Sequence, residues 1–231
     1  QTINNGIDLA QYGGLVWLKG RTSTKFHILF DSARGFSNEL VTNSANAQST
    51  VPTRNITPSA TGFTLGTGSE INSADQDTYI SWTFRCAQKF FDVVTYTGNG
   101  AAGRQIAHSL GVQAGFITVK STSATGDWNS YHSSATGDLK LNLDNTQTAS
   151  RTIITAADAN TFTVSGTANN NGVSYVAYLW AHDPSADGII HCGSYPSGSP
   201  HISLGWEPQF VLCKSLFTNG RSWWMFDTSR G

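Results

Sequence analysis

Apolar and polar residues alternate with a period of two along most of this chain, which is the pattern of half-buried β-strands. β-branched and aromatic residues crowd into short runs, such as residues 91–96 and 175–180, and glycine or asparagine clusters bound these runs. Convincing helical stripes with caps are missing, and residues 44–48 and 156–160 are the best candidates for short helical turns. We therefore expect an almost wholly β protein.

The strand pattern recurs three times along the sequence. Residues 15–19 (LVWLK) resemble residues 116–120 (FITVK) and 210–214 (FVLCK), a spacing typical of one small domain and not of one solenoid rung. Residues 30–35 (FDSARG) recur as residues 226–231 (FDTSRG), whereas the second copy has YHSS at residues 131–134. Because a one-residue slip would turn each apolar set to solvent, Lys19, Lys120 and Lys214 should lie at equivalent strand ends.

The repeat predicts tandem all-β sandwiches of the jelly-roll or concanavalin-like kind. The expected segments are residues 1–88, which lack an opening strand, residues 89–187, which form a full unit, and residues 188–231, which begin a third unit. Both incomplete ends should expose strand edges that need neighbouring chains. The turn residues at 97–100 and 195–200 each favour a β-hairpin.

Composition excludes several classes of partner. Charged residues make up 13% of the chain and the net charge is −1, so we expect no nucleic acid binding. No apolar run is long enough to cross a bilayer, so membrane insertion is not expected. Cys86, Cys192 and Cys213 are odd in number and widely spaced, which favours buried free thiols without a metal role.

A family resemblance lies in residues 14–22, 29–35 and 89–100. These stretches resemble a repeated domain of unknown function in tailed-phage virion proteins, especially the tail-fibre-like proteins of marine and cyanobacterial phages. The resemblance covers essentially the whole chain and implies a virion component on a fibre or other host-facing appendage. It supplies no catalytic or ligand motif. In the second copy, residues 132–137 replace the Asp-x-x-Arg-Gly segment, so a role of that segment is not common to both units.

Two sets of residues are candidates for a specific role. Asp31 with Arg34, and Asp227 with Arg230, are predicted to form local charge pairs that hold a loop, although a carboxylate for a sugar hydroxyl or a metal ion is the alternative. Aromatic side chains that share a polar face can stack on sugar rings, and core packing is the alternative for them. The candidates for glycan binding are Trp128, Tyr131, His132, Trp223 and Trp224.

Motifs for nucleophilic, zinc or nucleotide-dependent catalysis are missing from the sequence, so we predict no catalytic residue, cofactor or metal. The function expected from the repeat and the resemblance is that of a non-enzymatic virion structural protein of a tail fibre, with possible adhesion to a host surface glycan. Its partners would be other virion proteins and copies of itself, with a trimer favoured. The alternatives are a capsid-decorating or head-fibre protein and a depolymerase, which needs two carboxylates converging in a cleft.

Overall fold

A computed structural model describes residues 1–74, 76–198 and 201–230. Strands β1 to β8 are Thr2–Asn4, Gly14–Gly20, His27–Asp31, Asn38–Val41, Ser49–Thr50, Ile56–Ser59, Gly62–Leu65 and Tyr79–Arg85. Strands β9 to β16 are Phe91–Thr97, Arg104–Ala107, Ala114–Ser121, Asn129–His132, Leu139–Lys140, Ile154–Ala157, Thr161–Val164 and Ser174–Ala181, and β17 and β18 are Phe210–Cys213 and Trp224–Asp227. One helix, Leu9–Tyr12, and one 3₁₀ turn, Gly166–Ala168, complete the described elements, so the expected all-β class is confirmed.

Two five-stranded antiparallel sheets form the frame of the molecule. The first has the strand order β5-β4-β3-β2-β8 and the second has the order β13-β12-β11-β16-β9. Two three-stranded sheets have the orders β1-β7-β6 and β10-β15-β14, and within the described residues β17 and β18 pair only with each other. The layers of antiparallel sheets are of the β-sandwich type.

Each five-stranded sheet is covered on its outer face by one of the three-stranded sheets. Under the first cover, Val16 and Phe30 pack in a core that also contains Ile56 and Phe63. The corresponding core of the second sheet contains these residues: Ile117, Val119, Tyr131, Ile154, Phe162 and Val164. Burial of both faces explains why β2 and β11 lack strict alternation and instead contain almost continuous apolar runs.

The inner faces of the two five-stranded sheets meet each other and the β17–β18 hairpin in a third core. In β8 the alternation is complete, because Ile80, Trp82 and Phe84 are buried there while the residues between them are half-buried. This inner core contains most of the chain's tryptophans. Because this core lies between the two sheets and the hairpin, each of the three needs the other two to bury its apolar surface.

The predicted helical turns are wrong. Residues 154–157 form β14, in which Ala156 and Ala157 pair with β15, and residues 44–48 have no regular structure. The helix lies instead at Leu9–Tyr12, where the Asp8 side chain accepts a hydrogen bond from the Gln11 amide at 2.8 Å. Gly13, with φ at 68°, ends this helix after a single turn.

The hairpin predicted at residues 97–100 is also wrong, because β9 and β10 lie in different sheets. The connection crosses from one layer to the other and is held by Asn169, whose side-chain oxygen accepts a hydrogen bond from the Asn99 amide at 3.2 Å. A Cβ atom on Gly98 would lie 2.1 Å from the Asn170 carbonyl oxygen. The glycine therefore permits close approach of two loops and does not close a hairpin.

The second predicted hairpin, around residues 195–200, has no strand on either side. Residues 195–198 and 201–204 are irregular, and Ser199 and Pro200 lie outside the described residues, as does Gly231 at the end of the third copy. Pro196 has no backbone N–H to donate to a ladder, and the described flanks of this segment are mostly exposed.

Candidate functional site

The meeting point of the three inner faces is the most densely aromatic part of the molecule. Trp82 of β8 contacts Phe210 of β17 with ring centroids 5.9 Å apart, and Phe116 of β11 contacts Trp223 at 5.7 Å. Edge-on and tilted contacts of this kind stabilise aromatic pairs beyond their area burial. Few polar groups point into this core, and two aspartates at its edge have defined partners from another sheet.

Asp31, at the end of β3, is fully buried and forms a hydrogen-bonded network. The Nε atom of Arg34 lies 2.6 Å from Asp31 Oδ2, and the Arg34 amide donates to Oδ1 at 2.9 Å. The Tyr178 hydroxyl, from β16 of the second large sheet, also donates to Oδ2 at 2.7 Å. Burial raises the pKa of Tyr178 well above its usual value, so the hydroxyl remains a donor. The carboxylate thus joins the two sheets.

Asp227, at the end of β18, repeats this arrangement in a more open place. Arg230 Nε lies 2.5 Å from Asp227 Oδ2, and the Arg230 amide donates to Oδ1 at 3.1 Å. The Trp82 indole, from β8 of the first sheet, donates to Oδ2 at 3.3 Å. The Arg230 guanidinium also lies over the Trp82 ring, 5.3 Å from its centroid. The aspartate again connects its loop to a neighbouring sheet.

Two of the predicted glycan-binding tryptophans have a packing role. Trp128 is fully buried, and its indole nitrogen donates to the Val41 carbonyl at 3.0 Å and to the Ser44 carbonyl at 3.1 Å. The half-buried Trp223 donates in the same way to the Lys140 carbonyl at 2.9 Å. Trp128 has no ring face open to a sugar, because it is fully buried and the Tyr178 ring of β16 stacks on it with centroids 6.1 Å apart.

Tyr131 and His132 end strand β12 on opposite faces. Tyr131 is buried in the outer core, and the Arg151 guanidinium lies 4.4 Å from its ring centroid. His132 is half-buried and accepts a hydrogen bond from the Ser134 amide at 3.1 Å. Burial, assisted by the charge of Arg151, lowers the pKa of His132 to about 4. Tyr131 cannot stack on a sugar, and His132 is neutral at pH 7.

Trp224 is the predicted glycan-binding residue whose ring is most open. Its side chain is 58% exposed and lies parallel to the ring of Phe226, which is 53% exposed, at a centroid distance of 6.3 Å. Both side chains project from the outer face of β18, away from the aromatic inner core. Together they form an apolar surface on the hairpin.

The three lysines of the repeated pentads occupy similar places. Lys19 lies one residue before the end of β2, Lys120 one residue before the end of β11, and Lys214 directly after β17. Lys19 Nζ donates to the Lys25 carbonyl at 2.8 Å, Lys214 Nζ donates to the Arg221 carbonyl, and Lys120 Nζ donates to the next residue's carbonyl at 2.9 Å. Burial lowers the pKa of Lys120 to about 8. Lys19 and Lys214 thus fix the loop that follows their strand, whereas this contact of Lys120 stays within β11.

A cleft of about 370 Å³ opens beside the inner core, between the hairpin and the first large sheet. Trp17 Nε1 donates to His27 Nδ1 at 3.2 Å within it. Burial and the nearby charges of Lys19 and Arg230 lower the pKa of His27 to about 4, so the neutral ring carries its proton on Nε2. The other lining residues are Thr42, Asn43, Leu141, Asn142, Leu143, Asp144, Leu212, Ser222, Trp223 and Met225.

Cys86, Cys192 and Cys213 are free thiols. Burial raises the pKa of Cys86 to about 11 and that of Cys192 to about 12, which keeps both thiols protonated at neutral pH. Among residues 1–74, 76–198 and 201–230, no group of three or more His, Cys, Asp or Glu side chains is arranged to hold a metal ion. Within the same residues, no helix has the length and apolar character needed to traverse a bilayer.

The sequence analysis did not predict the aromatic donors to the two aspartates, which lie in β8 and β16. Tyr178 and Trp82 reach the two aspartates from far away in the chain, and neither was a candidate. A signal was present, because residues 79–84 and 175–180 align and place Trp82 and Tyr178 at the same position of their strands. His27, the first residue of β3, was not a candidate either, because it belongs to no motif.

Comparison with known proteins gives one match. Residues 4–231 match the family model of a domain of unknown function, DUF7483. No curated protein and no solved structure matches the chain.

Proposed function

We propose a structural and adhesive role for this chain, which belongs to the DUF7483 family of domains of unknown function. In this proposal, residues 1–88 and 89–187 are two β-sandwich repeats and residues 188–231 begin a third. The repeats are non-enzymatic building units of a virion appendage. Binding of a host glycan or receptor is a further property of their exposed surface.

The observation that carries the proposal is that the same positions make the same contacts at successive junctions. The indole of Trp128 donates to the Val41 carbonyl, and the indole of Trp223 donates to the Lys140 carbonyl. Val41 pairs with Ile28 of β3, and Lys140 pairs with Asn129 of β12. Val41 and Lys140 therefore correspond, because Ile28 and Asn129 are aligned in the repeat. A second unit thus contacts the first as the third contacts the second.

The aspartate contacts repeat as well. Tyr178 of the second unit donates to Asp31 of the first, and Trp82 of the first unit donates to Asp227 of the third. Trp82 pairs with the central residue of residues 15–19, and Tyr178 pairs with the central residue of residues 116–120. The donors therefore occupy equivalent places, as do the two acceptors.

These contacts arrange the units in a cyclic order. The second unit donates to the first, the first to the third, and the third to the second. A head-to-tail contact that is reused and closes on itself is the organisation of a rotationally symmetric assembly. This order supports a closed ring of three units as the building block of a longer appendage.

The virion location rests on the resemblance of the sequence to repeated domains of phage tail-fibre-like proteins. Its partners in this proposal are other virion proteins and further copies of itself, with a trimer favoured. Antibodies raised against the chain test the location by electron microscopy. Label along a tail appendage supports the fibre, whereas label over the head supports the capsid-decorating alternative.

Adhesion would come from weak sites on a surface with few charges. Trp224 provides the open aromatic ring, and multivalent display raises the effective affinity by roughly 10² to 10⁴ when several sites engage together. We expect the chain on a multivalent scaffold to bind a glycan array and the monomer to bind weakly. Trp224→Ala should abolish this binding, whereas Phe217→Ala, which removes another exposed aromatic, should not. Equal binding by monomer and scaffold would contradict the avidity argument.

The depolymerase alternative has its own measurement. An enzyme would release reducing ends from a bound polysaccharide, and the release would stop when its general acid is changed to the amide. We expect no release from any polysaccharide that the chain binds. Release that disappears in a single Asp→Asn or Glu→Gln variant would overturn the non-enzymatic proposal.

A further inference from the structure

The β17–β18 hairpin leaves apolar surface bare that the larger sheets keep buried. Trp224 and Phe226 on its outer face are more than half exposed. The repeated sequence places Phe226 at the position of Phe30 and Tyr131, which are 0% and 3% exposed. The side chain at this strand position is therefore buried in the first two copies and exposed in the third.

The two larger sheets show what covers this position. Phe30 is buried against Ile56 and Phe63 of the sheet β1-β7-β6, and Tyr131 is buried against Ile154 and Phe162 of the equivalent sheet β10-β15-β14. Each cover is built mainly from two short antiparallel strands late in the unit. The hairpin has no such cover among the described residues.

A free strand edge accompanies the bare face. Strand β2 pairs with β3 on one side and β8 on the other, and β11 pairs with β12 and β16. Strand β17, which contains the third copy of the pentad, pairs only with β18 in the described part of the chain. A free edge next to exposed aromatic side chains is a template for addition of a further strand.

The cleft beside β18 is the third part of the same surface. In the first unit, the strand that follows β3 presents the Val41 carbonyl to Trp128, and in the second unit β13 presents the Lys140 carbonyl to Trp223. The residue equivalent to these tryptophans in the first unit is His27. Its Nε2–H faces the cleft, where a corresponding strand beside β18 would present a carbonyl.

From these three features we propose that the hairpin docks a polypeptide segment of the same repeat type, with the chemistry of residues 36–88 of this chain. One strand of the occupant pairs with β17 and alternates aromatic residues as β8 does. Two short apolar strands cover Trp224 and Phe226, and an edge strand fills the cleft and accepts a hydrogen bond from His27. The inference rests on the repeat organisation proposed above.

A second copy of the chain does not fit this surface as well. In each copy, β8 and β16 already pair within their own sheets, and the cover strands already bury Phe30 and Tyr131. A second copy therefore has only free edges to offer and no unoccupied cover sheet. A glycan would leave the free edge of β17 unpaired, and the glycan binding proposed at Trp224 is restricted to chains whose hairpin has no docked segment.

The test appends residues 36–88 to the end of the full chain. The junction copies the natural sequence, because residues 30–35 and 226–231 match and residue 36 then follows. We expect amide exchange in β17 to slow at least about tenfold and the tryptophan emission to shift to shorter wavelength as Trp224 is buried. The control is the same graft with the counterparts of Trp82 and Phe84 changed to Asp, which should leave both signals unchanged.

In the grafted chain the edge strand should also slow amide exchange in β18, and His27→Phe should reverse much of that slowing, because the ring then has no donor for the incoming carbonyl. Unchanged exchange and emission in the graft would overturn the proposal. Concentration-dependent dimers of the ungrafted chain that protect β17 would also overturn it, since the occupant would then be a second copy. Trp128→Phe and Trp223→Phe test the repeat junctions without the graft, so failure of the docking is distinguishable from failure of the repeat organisation.

Discussion

The aspartate networks at the ends of β3 and β18 have the same contacts but different burial. In both, an arginine three residues on donates from Nε and from its amide, and an aromatic donor arrives from another sheet. The Arg34 side chain is 3% exposed and the Arg230 side chain is 31% exposed. The local sequence thus sets the geometry of the loop, whereas the surrounding strands set the energy of the ion pair.

The largest difference should appear when each arginine is replaced by methionine. Arg34→Met leaves the fully buried Asp31 carboxylate without its cation, and we expect the free energy of unfolding to fall by about 3–5 kcal/mol. Arg230→Met is the matched control and should cost about 1 kcal/mol or less, because water still reaches that site. Urea unfolding measures both. Equal effects would show that burial does not separate the two networks.

The second unit has a histidine where the other two units have the aspartate of the network, and acid titration tests this difference. His132 takes the place of Asp31, and it shares with His27 a pKa lowered to about 4 from 6.5, mainly by burial. The unfolded chain therefore binds protons first as the pH falls below about 6.5. We expect the free energy of unfolding to decrease between pH 6.5 and pH 4, by at most about 3 kcal/mol for each histidine.

His132→Asn and His27→Asn should each flatten this part of the stability profile, because asparagine does not titrate. Urea unfolding at several pH values gives the slope directly. A His132→Asn profile that keeps the full slope of the original protein would contradict the lowered pKa. The exposed His201 supplies the matched substitution His201→Asn, which controls for the loss of an imidazole as such.

Two buried tryptophans give a smaller and more local test. Trp128→Phe removes an indole donor and leaves the Val41 and Ser44 carbonyls without it, so we expect a loss of about 2 kcal/mol. The Trp180 indole nitrogen is buried and has no hydrogen-bond partner among the described residues, so Trp180→Phe should be milder. Thermal or urea unfolding decides the order. A larger loss for Trp180→Phe would mean that ring volume outweighs the junction hydrogen bond.

The alternation of apolar residues predicts β8, since residues 79–84 bury every second side chain as a period of two requires, whereas β2 and β11 are buried almost continuously. The interpretation of individual aromatic residues was less successful. Trp128 stands in a polar stretch, and only the fold shows that its indole donates to the distant Val41 carbonyl. Similarly, the Asp31 to Arg34 spacing indicated a local pair, but the third member, Tyr178, follows from the packing of two sheets. Contacts between sheets depend on side-chain placement that local patterns do not contain.

The smallest expected effect isolates the connection between sheets from the ion pair itself. Tyr178→Phe keeps the ring and removes only the hydroxyl that donates to Asp31 Oδ2, while Arg34 remains to pair the carboxylate. We expect a loss of about 1–2 kcal/mol, which is the range for a hydrogen bond to a charged acceptor. In the Arg34→Met background the same change should cost more, since Tyr178 is then the remaining side-chain donor to Oδ2. A double-mutant cycle by urea unfolding measures this coupling, and strictly additive losses would show that Tyr178 and Arg34 act on Asp31 independently.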